Sequence, residues 1–345
     1  MSNNKDIRFV TRCRKACCAS CSETTVAFCI GIISLFFSAG CGQQEQGSVD
    51  LYVDAVMFKE LNQNQAAVEK LNSAVKLNKN FPMAYSMLGE TYQEMQDYEK
   101  SAASFEKAAE LNPWSFKDYF SLGQVYQAMK KPAQAAGAYA KTCEIKPDHL
   151  EAHINAAKSY YEIPDYNNAL IYAKRAEKID PNVGEIQKML GDIYESRKDY
   201  QQAEVFYKRA LEIDSNNPEI MTSLAVAYLK TGDSNSAKEL LTSVIQIQPD
   251  NNTAYKHLGF CCLQLKNVDK ATESYEKAIQ INDKDWDSHR GLGVAYILKG
   301  KNKDGTIDDS LKTMALQQWR LSLEINPEQA NKEKLLNLIE YYSKN

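Results

Sequence analysis

One short unit written over and over constrains this chain more than any other feature. Small residues recur at a spacing of 34: Gly89, Gly123, Gly191, Gly259 and Gly293, with Ala55, Ala157 and Ala225 filling the remaining slots. Twelve residues after each comes a second small residue: Ala67, Ser101, Ala135, Ala169, Ala203, Ala237, Ala271 and, after a ten-residue insertion, Ala315. Leu88, Leu122, Leu190, Leu224, Leu258 and Leu292 immediately precede the first slot, and Tyr92, Tyr126, Tyr160, Tyr194, Tyr228 and Tyr296 follow it by three. Each unit reads as two helices with large residues at i, i+3, i+4 and i+7 on their inner faces. Two helices approach closely only where both offer a small side chain at the crossing, and the paired slots supply that notch. Proline placement agrees. Pro113, Pro147, Pro181, Pro249 and Pro327 stop second helices, Pro82 and Pro218 open repeats, and Pro132 and Pro164 fall at the turns within them.

These residues resemble the tetratricopeptide repeat family, whose 34-residue signature is a helix hairpin with this Leu-Gly, Tyr, Ala, aromatic, Ala, Pro pattern. Units fall at 48–81, 82–115, 116–149, 150–183, 184–217, 218–251, 252–285 and 286–329. The first is degenerate, with Asp54 where Leu is expected, and the eighth carries the insertion around 301–310. Residues 330–345 form a capping helix, with Leu335, Leu338, Ile339 and Tyr342 on one stripe to close the open end of the array. The resemblance implies an all-α fold: a right-handed α-solenoid superhelix of about eight helix hairpins plus the cap.

The first forty residues are of another kind. Lys5, Arg8, Arg12, Arg14 and Lys15 stand against Asp6 and Glu23, and Val26 to Gly40 then carries no charge. That stretch is short for a membrane span, which needs about 20 apolar residues, but suits the apolar part of an export signal. Ser38-Ala39-Gly40 before Cys41 resembles the bacterial lipoprotein signal, although Ser38 stands where that pattern usually has Leu. The resemblance implies a signal peptide at 1–40, lipid attached to Cys41 and a tether over 41–47. The alternative is an uncleaved signal anchor, since Thr24 to Gln44 is uncharged throughout. Either way the body of the chain is expected in the cell envelope, facing the periplasm or exterior, with the outer membrane favoured because Gly42 replaces the Asp that retains some lipoproteins at the inner membrane.

Little in the sequence supports chemistry. Of nine cysteines, six lie in the first 41 residues, so no disulfide scaffold is indicated. Cys18-Ala19-Ser20-Cys21 has metal or redox spacing but sits in the leader without a partner pair. His149 and His153 are four apart, yet His149 precedes the helix and His153 and His289 occupy packing slots. Gly291-Leu292-Gly293 is repeat signature rather than a dinucleotide loop. In the insertion, Asn302, Asp304, Gly305, Ile307 and Asp308 match calcium-loop positions, but Gly300 and Leu311 stand where the first ligand and the bidentate Glu belong. No enzyme, metal or cofactor is expected. Forty-one basic against 45 acidic residues, net charge −4, gives no pull toward nucleic acid.

The family resemblance places the first helix of each repeat on a concave face that takes protein or peptide partners. Repeats two to five carry Glu90, Gln93, Gln124, Gln127, Lys158, Tyr161, Lys188, Asp192 and Glu195 there, a mixed polar wall. Repeats six to eight carry Val226, Leu229, Phe260, Leu263, Val294 and Ile297, an apolar strip flanked by Lys256 and Arg290. The strip is expected to seat an apolar segment or amphipathic helix of a partner, unless the cap or the insertion folds over it or the superhelix closes there. The chaperone-tail clamp of some family members needs Asn beside Lys/Arg, and no Asn occupies the matching slot. The expectation is a scaffold or adaptor serving complex assembly in the bacterial envelope. The alternative is a holding or regulatory module for apolar segments of exported polypeptides.

Overall fold

The computed structural model describes residues 43–303 and 305–344. The described chain is all-α, in 17 helices. Two compact units divide after Lys131. The first contains α1 (Gln43–Glu60), α2 (Asn64–Leu77), α3 (Pro82–Glu94), α4 (Tyr98–Leu111) and α5 (Phe116–Ala128). The second begins with α6 (Pro132–Ile145), α7 (Leu150–Glu162), α8 (Tyr166–Ile179), α9 (Gly184–Ser196), α10 (Tyr200–Ile213) and α11 (Pro218–Thr231). It continues through α12 (Ser234–Ile247), α13 (Asn252–Gln264), α14 (Val268–Ile281), α15 (Trp286–Gly300), α16 (Asp309–Ile325) and α17 (Lys332–Lys344).

The helix borders follow from local chemistry. Asp97, Asp165, Asp199, Asp233 and Asn267 cap second helices by accepting the backbone N–H three residues on, and Asn251 and Asp285 do the same for first helices. Between the two helices of a repeat the chain turns through the left-handed region at Asn62, Gln96, Lys130, Lys198, Gly232 and Lys266, again on the 34-residue register. Only Gly232 is free of the Cβ penalty this conformation carries. The prolines lie outside helices or at their first residue, as at Pro82, Pro132 and Pro218.

The notches work as their spacing implies. A Cβ at Gly89 would sit 2.8 Å from the Phe105 ring, and one at Gly259 would sit 2.9 Å from the Tyr275 ring. The Tyr207 ring lies against Gly191 and the Trp319 indole against Gly293, both closer than a Cβ would allow. Tyr207, Phe105 and Trp319 are accordingly among the largest fully buried side chains. Tyr275 is wedged twice, because Gly291 on α15 also lies flat against its ring.

Two borders differ from the sequence reading. Residues 43–47, read as tether, open α1, where Ser48 is fully buried and its hydroxyl donates to the Glu45 carbonyl. Polar Gln and Glu support a helix there, but Gly47 and the missing Leu hide the periodicity. The insertion lengthens α15 to Gly300 and then makes a tight turn, with Asn302 N–H donating to the Thr306 carbonyl and Gly305 in the left-handed region. Asp308 caps α16 through Leu311 N–H, so this carboxylate is engaged in capping. Cys41, the leader and Asp304 lie outside the described residues.

Candidate functional site

In the second unit the first helices α7, α9, α11, α13 and α15 touch one another in succession. They form one face, and on it the apolar strip becomes a cleft of about 510 Å³. Seven of the eight residues expected there line it: Val226 and Leu229 from α11, Lys256, Phe260 and Leu263 from α13, and Arg290 and Val294 from α15. Phe260 is 46% exposed, a large apolar surface presented to solvent. Ile297 departs from the expectation. It is 7% exposed and packed in the cluster that holds Trp319 and Leu335. The same cluster includes Ile307 and Leu311, from the insertion and α16, as well as Leu335 of the cap, α17, so the end of the strip belongs to the core of the last hairpin.

That cap also forms one wall of the cleft, through Asn331, Lys334, Leu335 and Leu338. Leu335 is buried, whereas Leu338 remains 39% exposed at the rim. The helix therefore narrows the strip without covering it, and none of the described insertion residues lines the cleft.

His257 is the residue that sequence reasoning missed. It lies in the same cleft, half-buried, where burial first and the neighbouring Lys256 next pull its pKa down to about 4. The signal was available in the register, since His257 stands 34 residues before Gly291. The remaining histidines are structural. His149 caps α7 by accepting the Ala152 N–H, and His153 Nε2 donates to the Pro147 carbonyl at 2.9 Å. His289 Nε2 donates to the Asp283 carbonyl at 2.9 Å, with Gln318 at 2.6 Å from its other nitrogen. Among the described residues no three His, Cys, Asp or Glu side chains are grouped to hold a metal ion.

The polar wall over α7, α9 and α11 is acidic and already internally paired. Lys158 pairs with Glu185, and Lys188 reaches Asp192 and Glu219 at 2.9 Å each. The buried Tyr207 hydroxyl lies 2.8 Å from Asp192 and 2.7 Å from Glu195. One hydroxyl proton satisfies only one of these two carboxylates. Burial raises the Glu195 pKa, and the adjacent Asp192 adds to the effect against the hydrogen bond from Tyr207. In the first unit Glu90 is engaged by Lys59 at 2.7 Å.

The sequence matches the family model described as the Cilia and flagella-associated protein 70 C-terminal domain over residues 84–291, more than half of the chain. The chain belongs to this tetratricopeptide family. Among solved structures, the tetratricopeptide chain is similar to one in the APC/C hetero-tetramer Cut9-Hcn1, at 15% identity and TM-score 0.53, covering 80% of this chain and 52% of that one. It is also similar to YrrB, described as a TPR protein with an unusual peptide-binding site, at 22% identity and TM-score 0.48 over 54% of this chain and 96% of that one. A third is pilF of Pseudomonas aeruginosa, at 19% identity and TM-score 0.48 over 60% and 94%. A comparison with curated proteins gives no match. The tetratricopeptide fold is that of a protein–protein interaction scaffold, and the face formed by its first helices is where this chain presents its apolar surface.

Proposed function

We propose that this tetratricopeptide protein is a non-enzymatic adaptor of the bacterial cell envelope. Lipid on Cys41 tethers it to a membrane, the outer membrane in preference to the inner, and the cleft of α11, α13 and α15 holds a protein partner during complex assembly. The observation that carries the reading is Phe260: a phenylalanine nearly half exposed in a cleft lined by Val226, Leu263 and Val294. Exposed apolar surface of this kind is retained where a partner covers it. The anchor rests on the basic lead-in, the uncharged Val26–Gly40 segment and the small residues before Cys41. No helix among the described residues is long and apolar enough to cross a membrane.

A photo-crosslinking amino acid placed at Phe260 in living cells tests the adaptor role, with Glu212 on α10 as the exposed control. One dominant adduct at position 260 that is absent at 212 supports an adaptor, and a spread of many exported polypeptides favours a holding module. Absence of any position-specific adduct defeats both. For the anchor, radiolabelled fatty acid should enter the parent and not Cys41→Ser. Equal labelling would exclude attachment at that residue.

A further inference from the structure

The charges around the face of the second unit are unequally spent, and the imbalance has a direction. At the apolar cleft the cations outnumber the anions: Lys230, Lys256, Arg290 and Lys334 line it against Asp287. Arg290 pairs with Asp287, and Lys256 lies 4.0 Å from Asp285, just outside the lining. Lys230 and Lys334 make no ion pair among the described residues, so two positive charges stand over an apolar floor without a salt-bridged partner. Lys230 is near enough to Glu195 and to His257 to influence both, which places it where the two halves of the face join.

The neighbouring cleft of about 350 Å³, on α7, α9 and α11, has the opposite deficit. Its two lysines, Lys158 and Lys188, are consumed by Glu185, Asp192 and Glu219. Among the described residues Glu162 makes no ion pair, so its carboxylate stands in this cleft without a cation.

On the reading that this face binds a partner, we infer that the apolar cleft takes an acidic amphipathic segment of a protein, held in one direction. Its apolar side chains lie on Phe260, Leu263 and Val294, and its carboxylates lie at Lys230 and Lys334. Basic residues at its other end fall against Glu162. Charge of the wrong sign is rejected at both ends, because each cleft would then bring like charges together on partly desolvated ground. Apolar contact supplies the affinity and the two unmatched ends supply the register.

Two fluorescein-labelled peptides with the same leucines at i, i+3, i+4 and i+7 separate the possibilities, one with glutamates between the leucines and one with lysines. Titrated by anisotropy onto the full chain, the glutamate peptide should bind at least about tenfold tighter than the lysine peptide, with the gap shrinking as salt rises. In Lys230→Glu/Lys334→Glu the order should invert. These side chains sit at the surface, and an unchanged circular dichroism melt verifies the fold. A glutamate peptide extended by two lysines on one end should outbind the peptide extended on the other. Equal affinity for both charge types, lost together in Phe260→Asp, would overturn the acidic partner while leaving the cleft as a binding site. No binding of any peptide, together with no adduct from position 260 in cells, would overturn both. Adsorption to vesicles of anionic lipid that competes with the glutamate peptide would replace the protein segment by a membrane surface and defeat the inference.

Discussion

Alanine at position 291 and alanine at position 137 are the same chemical change in helix interiors, and the structure assigns them opposite signs. Alanine in place of glycine favours a helix by up to about 1 kcal/mol. At the exposed Gly137 on α6 nothing lies within 4 Å of the added Cβ, so the gain is kept whole. At Gly291 the Cβ would overlap the Tyr275 ring and stand 2.8 Å from its hydroxyl oxygen. Tyr275 is only 3% exposed and also lies close against Gly259, so moving the ring would disturb a second tight contact. Overpacking of this severity belongs at the upper end of its usual range, about 3 kcal/mol, leaving a net loss of about 2 after the helix gain. The two variants should therefore differ by about 3 kcal/mol, on the order of a hundredfold in the folding constant. Urea unfolding followed by circular dichroism reads the difference. In a Tyr275→Ala background the obstruction is gone, and Gly291→Ala should become neutral or stabilising. Equal midpoints for Gly291→Ala and Gly137→Ala, or an unchanged cost without the tyrosine ring, would refute the steric account.

The remaining expectations are shorter. His257 binds its proton less readily in the folded chain than in the unfolded one, where its pKa is near 6.5, so the unfolded state holds more protons between pH 6.5 and about 4. Stability should then fall as pH is lowered through that window, by up to about 3 kcal/mol, and level off below it; His257→Gln should flatten the slope relative to the parent. Asp287 in the cleft and Asp285 just outside it oppose the shift while Lys256 and Lys230 reinforce it, so Lys256→Gln should move the window upward in pH. Lys198 holds a left-handed conformation at φ 62° with its side chain exposed, and Lys198→Gly should stabilise by up to about 1 kcal/mol in thermal melts. Cys143 is buried and its thiol is pushed up to about 12, so iodoacetamide at pH 8 should leave it unmodified in the native chain and label it in urea, as mapped by mass spectrometry.

The hairpins were legible because the notch residues announce themselves: a Gly or Ala every 34 positions admits an aromatic ring only where two helices cross. Phe260, Leu263 and Val294 were legible for the same reason, since the register fixes which face of the first helix each occupies. Ile297 was not, because its burial is set by the cluster that the insertion, α16 and α17 build at the end of the array, a long-range matter that helix periodicity does not encode. His257 escaped because the register gives its place on the face but not its surroundings. Its setting is made by Tyr275 from α14 and by the lysines of α11 and α13. The charge imbalance across the face was likewise invisible, since it depends on which carboxylates have already been claimed by Lys158 and Lys188. The tight turn of the insertion shows the reverse case. Its Asn, Gly and Asp have the composition of an ion-binding loop and serve as turn and cap.

The helix that walls the cleft, α17, is anchored to the last hairpin and carries three exposed apolar side chains, Leu336, Leu338 and Tyr341. Terminal helices of repeat arrays open more readily than internal ones. Whatever fills the cleft therefore meets its α17 wall only in the fraction of molecules whose final helix is docked, and the contacts to Leu335 and Leu338 scale with that fraction. Affinity becomes adjustable from a distance: a change that loosens Tyr342 from Trp319 weakens binding without touching a single contact to the partner.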